Sequence, residues 1–247
     1  LQEFSKQETP LVTEKKPLYD IFTAVPERYD LINRIFTWGL DRKWRLKAAR
    51  LCLEKQPKKV LDLCCGTGDL AIDLAQLAQA DAKVIGLDYS PPMLERAREK
   101  AIRVKLNCQL TFINGDVTDL PFPDNYFDCT GISFAFRNLT YKNPRTERYL
   151  KEIVRVLKPE GRFVIVESSQ PPNPFIRMLD HFYLRTFVRW MGSCLSKNKP
   201  AYVYLTESAR NFYTAEELSD LLIKTGFSRV IVKRLLFGAT AIHVALK

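Results

Sequence analysis

The sequence predicts an open α/β fold, with a mostly parallel sheet, helices on both of its faces and an antiparallel hairpin strand at the C-terminal end. Three observations carry that expectation. Short apolar runs alternate with helical periodicity from Val60 to about residue 168. The first run, Val60-Leu61-Asp62-Leu63-Cys64-Cys65-Gly66-Thr67-Gly68-Asp69, passes through a glycine turn into a helix start. At the end of the chain two strand-like runs meet near Gly238 with no room for a crossover helix.

Residues 1–16 are polar and aperiodic and read as a flexible tail, residues 17–247 as one domain without repeat or linker. Helices are expected over residues 17–53, where Ile21, Phe22 and Val25 share one face and Tyr29, Ile32, Ile35 and Phe36 another, punctuated by Pro26 and Gly39. Strands follow at about 59–64, 84–88, 109–114, 127–132 and 162–168, separated by helices at about 69–79, 91–105 and 145–158. In the last of these helices Tyr149, Leu150, Ile153, Val154 and Leu157 form an apolar stripe opposite Lys151, Glu152 and Arg155, which marks a core-facing helix. Pro159-Glu160-Gly161 ends it and starts the next strand. Residues 171–212 break the rhythm. Pro171, Pro172 and Pro174 lead into an aromatic stretch through Phe182, Tyr183, Phe187 and Trp190, read as a helical lid over the sheet's mouth. A helix at about 214–225 and strands at about 228–236 and 239–246 complete the chain.

Nothing in the 247 residues approaches a membrane-spanning apolar run, and no secretory n-region or h-region precedes the domain; the start at Leu1 reads as trimmed. Six cysteines without C-x-x-C spacing, and only two histidines, argue for reduced structural thiols and no metal site. A net charge of +10 favours anionic surfaces, but no block of like charges singles out nucleic acid or lipid.

If the strands are parallel neighbours, Asp62, Asp69, Asp88 and Asp116 gather at their carboxyl-end edge, where open α/β sheets bind ligands. Four carboxylates on a basic protein suit a cationic nucleoside such as S-adenosylmethionine. The turn also satisfies G-x-G-x-x-G/A, but Asp69 at the helix start would compete with a pyrophosphate for the same N–H groups. Gly66 and Gly68 allow close backbone approach, Thr67 offers a hydroxyl, Asp88 can accept from both ribose hydroxyls and Asp116 from an adenine amino group. Each aspartate taken singly is also an ordinary helix cap or turn residue.

At these residues the chain resembles class I methyltransferases with their Rossmann-like sheet. Leu120-Pro121-Phe122-Pro123, Leu157-Lys158-Pro159-Glu160-Gly161 and above all Ile132-Ser133-Phe134-Ala135-Phe136-Arg137-Asn138 are similar to the ubiquinone/menaquinone-biosynthesis C-methyltransferases. So are Tyr29-Asp30-x-x-Asn33, Gly39-x-Asp41-Arg42-x-Trp44, Tyr202-x-Tyr204-Leu205-x-x-Ser208 and Gly238-x-x-Ala241-x-His243. The resemblance implies S-adenosylmethionine held by Asp62, Gly66, Thr67, Gly68, Asp88, Tyr89, Met93, Asp116, Val117 and Ser133, with S-adenosylhomocysteine as product. It implies a prenylated hydroquinone as acceptor, no nucleic-acid partner, a cytoplasmic or organellar site of action with weak membrane-surface contact, and leaves a homodimer open. The chain departs from the family pattern at Cys64, Asp41, Ala135 and Phe212-Tyr213.

The implied reaction needs an acceptor hydroxyl, with a pKa near about 10 by analogy with tyrosine, to become an anion. Arg137 is expected to favour that anion with Asn138 beside it, and Tyr29, Tyr204 or a water on Arg137 to relay the proton. His243 reads as a buried hydrogen-bonded residue, Arg42 and Trp44 as anchors of the N-terminal helices. The lid aromatics serve equally as a cover for a flat ring or as core. Arg177, Arg185, Arg189, Lys197 and Lys199 are candidates for headgroup contact. The competing readings are a methyltransferase of another small molecule or of nucleic acid, a nicotinamide oxidoreductase, and a non-catalytic quinone-binding protein.

Overall fold

The structure, a computed structural model, describes residues 34, 37–188 and 199–247. The expected tail, the first of the N-terminal helices with Tyr29, and the lid residues Arg189, Trp190 and Lys197 lie outside the described residues, as do the side chains of Lys199 and Tyr202.

Helix α1 (Leu40–Leu53) leads into strand β1 (Lys59–Leu63), then α2 (Asp69–Leu77), β2 (Lys83–Asp88), α3 (Pro91–Ala101), β3 (Gln109–Asn114) and β4 (Phe127–Ser133). A short α4 (Phe136–Thr140) and the longer α5 (Thr146–Val156) precede β5 (Leu157–Ser168). Helix α6 (Pro174–Tyr183) runs on into a π-helical turn at Leu184–Val188, and α7 (Lys199–Arg210), α8 (Ala215–Lys224), β6 (Arg229–Leu235) and β7 (Thr240–Leu246) follow. The strands form one sheet in the order β3-β2-β1-β4-β5-β7-β6. The first five pair in parallel, and β7 is antiparallel to both β5 and β6, as the sequence predicts.

Strand alternation divides the core between the two faces. Leu61, Leu63, Phe127, Ile132, Phe163 and Ile165 pack beneath α5 and α8, against Leu150, Ile153, Leu218 and Leu222. Val60, Cys129, Val164, Val166, Ile242 and Val244 face the other way, against Trp44, Ala48, Leu70 and Leu74. At roughly 1.5–3 kcal/mol for each fully buried large apolar side chain, these two layers supply the main driving force for holding the sheet edge in place.

One boundary differs from expectation. The helix before β5 ends at Val156, and β5 starts at Leu157, ahead of the Pro159-Glu160-Gly161 stretch. Phe127 pairs with Leu157 but Cys129 with Arg162, so the stretch is a bulge inside a long strand. Gly161 permits it, because an added Cβ would lie 2.7 Å from the Lys158 carbonyl oxygen.

Candidate active site

Strands β1, β2, β4 and β5 end in Leu63, Asp88, Ser133 and Ser168 on one edge, and the strand order reverses between β1 and β4. A ligand crevice belongs at that reversal. There the chain leaves β1 through a tight turn: the Cys65 N–H donates to the Leu87 carbonyl at 3.0 Å and the Gly68 N–H to the Cys65 carbonyl at 2.8 Å. Gly68 caps α2 in the left-handed region, at φ +80°, and a Cβ there would come within 2.8 Å of Ala97 and 2.9 Å of the Phe112 ring. Cys64, where the resembled family has glycine, takes the left-handed conformation too, at φ 51°.

A cavity of about 560 Å³ opens over this turn, and its wall includes Asp62, Gly66, Thr67 and Ser133, Arg137, and the inner stripe of α6. The four aspartates do not form the open acidic cup that the sequence suggests. Asp62 is in the wall but only 1% exposed, and neither carboxyl oxygen has a hydrogen-bond partner of ordinary geometry. Burial pushes its pKa well above the usual carboxylate range, with the nearby Asp88 reinforcing the shift and the Ala71 N–H opposing it. Asp69 is neutralised by ion pairs to Lys100 and, at 3.3 Å, Arg45. Asp88 accepts the Gly66 N–H at 2.8 Å and the Ser90 N–H at 2.9 Å, so in this conformation it braces the turn. Its burial raises its pKa in spite of those bonds. Asp116 accepts the Thr118 N–H at 3.0 Å, a local turn contact.

Asp88, Tyr89, Met93, Asp116 and Val117 are not in the cavity wall; Met93 and Val117 are packed into the interior. The sequence could place these residues at one sheet edge but not decide which opened into one space.

Arg137 stands on α4, just past β4, with its guanidinium buried. Nη1 donates to Glu167 Oε1 at 3.0 Å and to Ser168 Oγ at 2.9 Å, and the Arg137 backbone N–H reaches Glu167 Oε2 at 3.1 Å. Its Nε is buried without a partner. Glu167 has no place in the sequence reading, although a carboxylate next to the apolar run Phe163–Val166 was a signal. Tyr204 lies 3.4 Å from Asn138 Oδ1, and burial, with Glu167 and Tyr141 nearby, raises its phenol above the usual range against the opposing charge of Arg137. Neither Asn138 nor Tyr204 lines the cavity, so of the expected catalytic group Arg137 alone is on its wall among the described residues.

Helix α6 lines the cavity, and the aromatics of the expected lid that are described divide. Tyr183 lines the cavity and stacks on Phe187 at 5.3 Å, while Phe187 stacks on Trp38 at 6.1 Å. Phe182 points out, 66% exposed. Trp44 is buried against Phe134 and anchors α1, whereas Arg42 is exposed; Arg45 takes the anchoring role through Asp41, Asp69 and Asp73. His243 is buried, bonded through Nε2 to the Ala215 carbonyl at 3.0 Å.

The sequence model of the ubiE/COQ5 methyltransferase family matches residues 10–247. The chain belongs to that family. It is similar to the demethylmenaquinone methyltransferase of Thermus thermophilus, 42% identical over 91% of this chain and 98% of that one. It is 38% identical to the enzyme of the same name from Lactobacillus johnsonii, covering 94% and 93% of the two chains. Among solved structures, it is 20% identical to an S-adenosylmethionine-dependent methyltransferase from Thermotoga maritima, with a TM-score of 0.57 and coverage of 89% and 98%. For one from Aquifex aeolicus the identity is 20%, the TM-score 0.53 and the coverage 80% and 88%. At that identity the likeness is one of fold. This ubiE/COQ5-family chain is a methyltransferase with a mostly parallel seven-stranded sheet.

The sequence reading did not single out Arg45 and Asp180, which line the cavity, or Lys100 and Glu167, which pair with Asp69 and Arg137. Only Arg45, spaced i+4 from Asp41, and Glu167 left a trace in the sequence.

Proposed function

We propose that this methyltransferase moves a methyl group from S-adenosylmethionine to a ring carbon of a reduced prenylated quinone of the demethylmenaquinol type. Its relatives' names point to menaquinone biosynthesis. The observation that carries the reading is one cavity whose wall holds both a buried carboxyl, Asp62, and a buried guanidinium, Arg137.

The residues suit the donor. An ammonium group placed at Asp62 would add strong donors to a carboxyl that has only the Ala71 N–H acting on it, and so favour the charged carboxylate, and Gly66 leaves open space for backbone approach. Thr67 and Ser133 add hydroxyls on the same wall. Asp88 and Asp116, at the edge of β2 and just beyond β3, would take the ribose and adenine, Asp88 giving up its bond to the turn. The bound donor supplies an electrophilic methyl on a sulfonium.

Arg137 acts on the acceptor. Its unpartnered Nε is a donor for an acceptor oxygen, and the guanidinium favours the anion of a phenol that otherwise titrates near about 10. Glu167 tempers that field but holds the guanidinium in one rotamer, so no reorganisation is needed as charge develops. The lid excludes water from the site. Outward on α6, Phe175, Met178 and Phe182 are exposed near Arg177 and Arg185, as is Phe237 on the turn before β7, and we read this as weak contact with an anionic bilayer that holds the acceptor. No helix among the described residues is long and apolar enough to cross a membrane.

Arg137→Lys tests the reading while keeping a buried cation beside Glu167. We expect kcat with a reduced demethylated menaquinone to fall about 10²–10³-fold, with the affinity for S-adenosylhomocysteine, measured by calorimetry, unchanged. Equal loss of both would assign Arg137 to the donor side or to folding.

A further inference from the structure

We propose that Asp180, on the lid, is the general base that takes the proton from the acceptor hydroxyl. The inference rests on the quinol-methylation reading above and deepens it.

Helix α6 presents Ile176, Leu179, Asp180 and Tyr183 to the cavity, the i, i+3, i+4, i+7 stripe of one helix face. A carboxyl in the middle of that stripe has no packing role. Two of the other three carboxyls in the wall are already paired. Asp41 accepts the Thr37 hydroxyl at 2.8 Å and pairs with Arg45 at 3.2 Å. Asp69 is held by Arg45 and Lys100. The third, Asp62, is buried in the wall and is assigned above to the donor. Asp180 is the one wall carboxyl that the lid helix contributes, and the same cavity wall carries Arg137 and Ser168.

The electrostatics agree with the geometry. Burial raises Asp180 to about 6, and no neighbouring charge shares in that shift. On its own helix the charged and titratable groups are Arg177, His181 and Tyr183, with Arg210 on α7 near His181; those that share the cavity wall are Asp41 and Arg45 on α1, Asp62 on β1, Asp69 on α2 and Arg137 on α4. His181 is itself lowered by burial and by Arg210 and Arg177, and is bonded to Gln170, so it is neutral and engaged. A carboxylate raised to about 6 is ionised at neutral pH and a stronger base than an ordinary aspartate.

In the proposed step the acceptor O–H bond breaks, its electron pair stays on oxygen beside Arg137, and the proton moves to an Asp180 Oδ. Over the whole reaction the ring exchanges one hydrogen for the methyl group, the electron pair of the S–CH₃ bond stays on sulfur, and one proton leaves to solvent by way of Asp180.

The test compares wild type, Asp180→Asn and Asp180→Glu with reduced demethylated menaquinone across pH 5 to 9, alongside S-adenosylhomocysteine binding by calorimetry. Asn removes an unpaired, half-buried charge, so the fold should hold. The expected result is a fall in kcat of about 10²–10⁴-fold in Asp180→Asn, S-adenosylhomocysteine affinity within a factor of about three, and loss of the acidic limb that wild type shows as pH drops through about 6. Asp180→Glu should recover part of the rate and keep the limb. A wild type that turns over the quinol, with an Asp180→Asn variant within threefold of it or showing the same limb, overturns the role of Asp180 alone. A wild type that binds S-adenosylhomocysteine but methylates no reduced quinone overturns the acceptor reading, and this inference with it.

Discussion

Arg137 and Glu167 are both buried, and each is tolerable only because of the other. A lone buried charge costs several kcal/mol, and breaking such a pair typically costs about 3–5 kcal/mol. In the proposed mechanism the pair also positions the cation that acts on the acceptor. The same burial makes His243 a pH sensor of stability. Its imidazole is lowered to about 4, mainly by burial, against an unfolded value near 6.5. The unfolded chain takes up the proton first as pH falls, so His243 supports the fold fully above about 6.5 and loses that support between about 6.5 and 4. The effect is on the order of 3 kcal/mol. Asp180, raised to about 6, works in the opposite sense, adding stability as pH falls from about 6 towards 4. The clean measurement is thus the difference between wild type and His243→Gln in urea unfolding from pH 7 to 4. The variant should lack the wild type's loss, and parallel curves would show that the imidazole does not titrate with folding.

At the scale of elements, the lid is the weakly held part. Helix α6 has no fully buried residue, so its order depends on its ends and its inner stripe. Asn173 caps it, its side chain accepting the Phe175 and Ile176 N–H groups at 2.9 and 3.2 Å. Asn173→Ala should cost that helix about 1 kcal/mol. Because the opening is local, the melting temperature should move by less than about 2 °C. Amide exchange across residues 174–183 should speed up, and the KM for the quinol should rise while S-adenosylhomocysteine affinity stays put. A large drop in melting temperature would show the lid to be part of the cooperative core. This division follows what could be read in advance. Strands β1, β2 and β4 are largely buried on both faces, so they appear as short runs poor in charge, and their ends were legible to within a residue. The bulge at Pro159-Glu160-Gly161 was not, because it depends on the register of β4 against β5.

For the whole molecule, the net charge of +10 and the outward apolar side chains of α6 describe one surface property. Co-sedimentation with anionic vesicles should be strong at about 50 mM salt and fall severalfold by about 500 mM, as screening shortens the reach of the basic side chains. Phe175→Ser or Phe237→Ser should weaken it at constant charge. Binding indifferent to both salt and these substitutions would remove the membrane from the functional picture.

The sequence by itself determined the sheet, its glycine turn and the place of the ligand edge, because these rest on local periodicity and on backbone conformations that few residues allow; the Arg137-Asn138 segment stood out only through the family resemblance. Tertiary structure decided which charges remain available. Glu167 meets Arg137 across two strand ends, Lys100 and Arg45 converge on Asp69, and Asp62 sinks below the turn. An aspartate such as Asp180 in an amphipathic helix ordinarily faces water; only the docking of α6 over the cavity turned it inward. Coulomb energy and desolvation depend on distances through space, and those are set by how the elements pack.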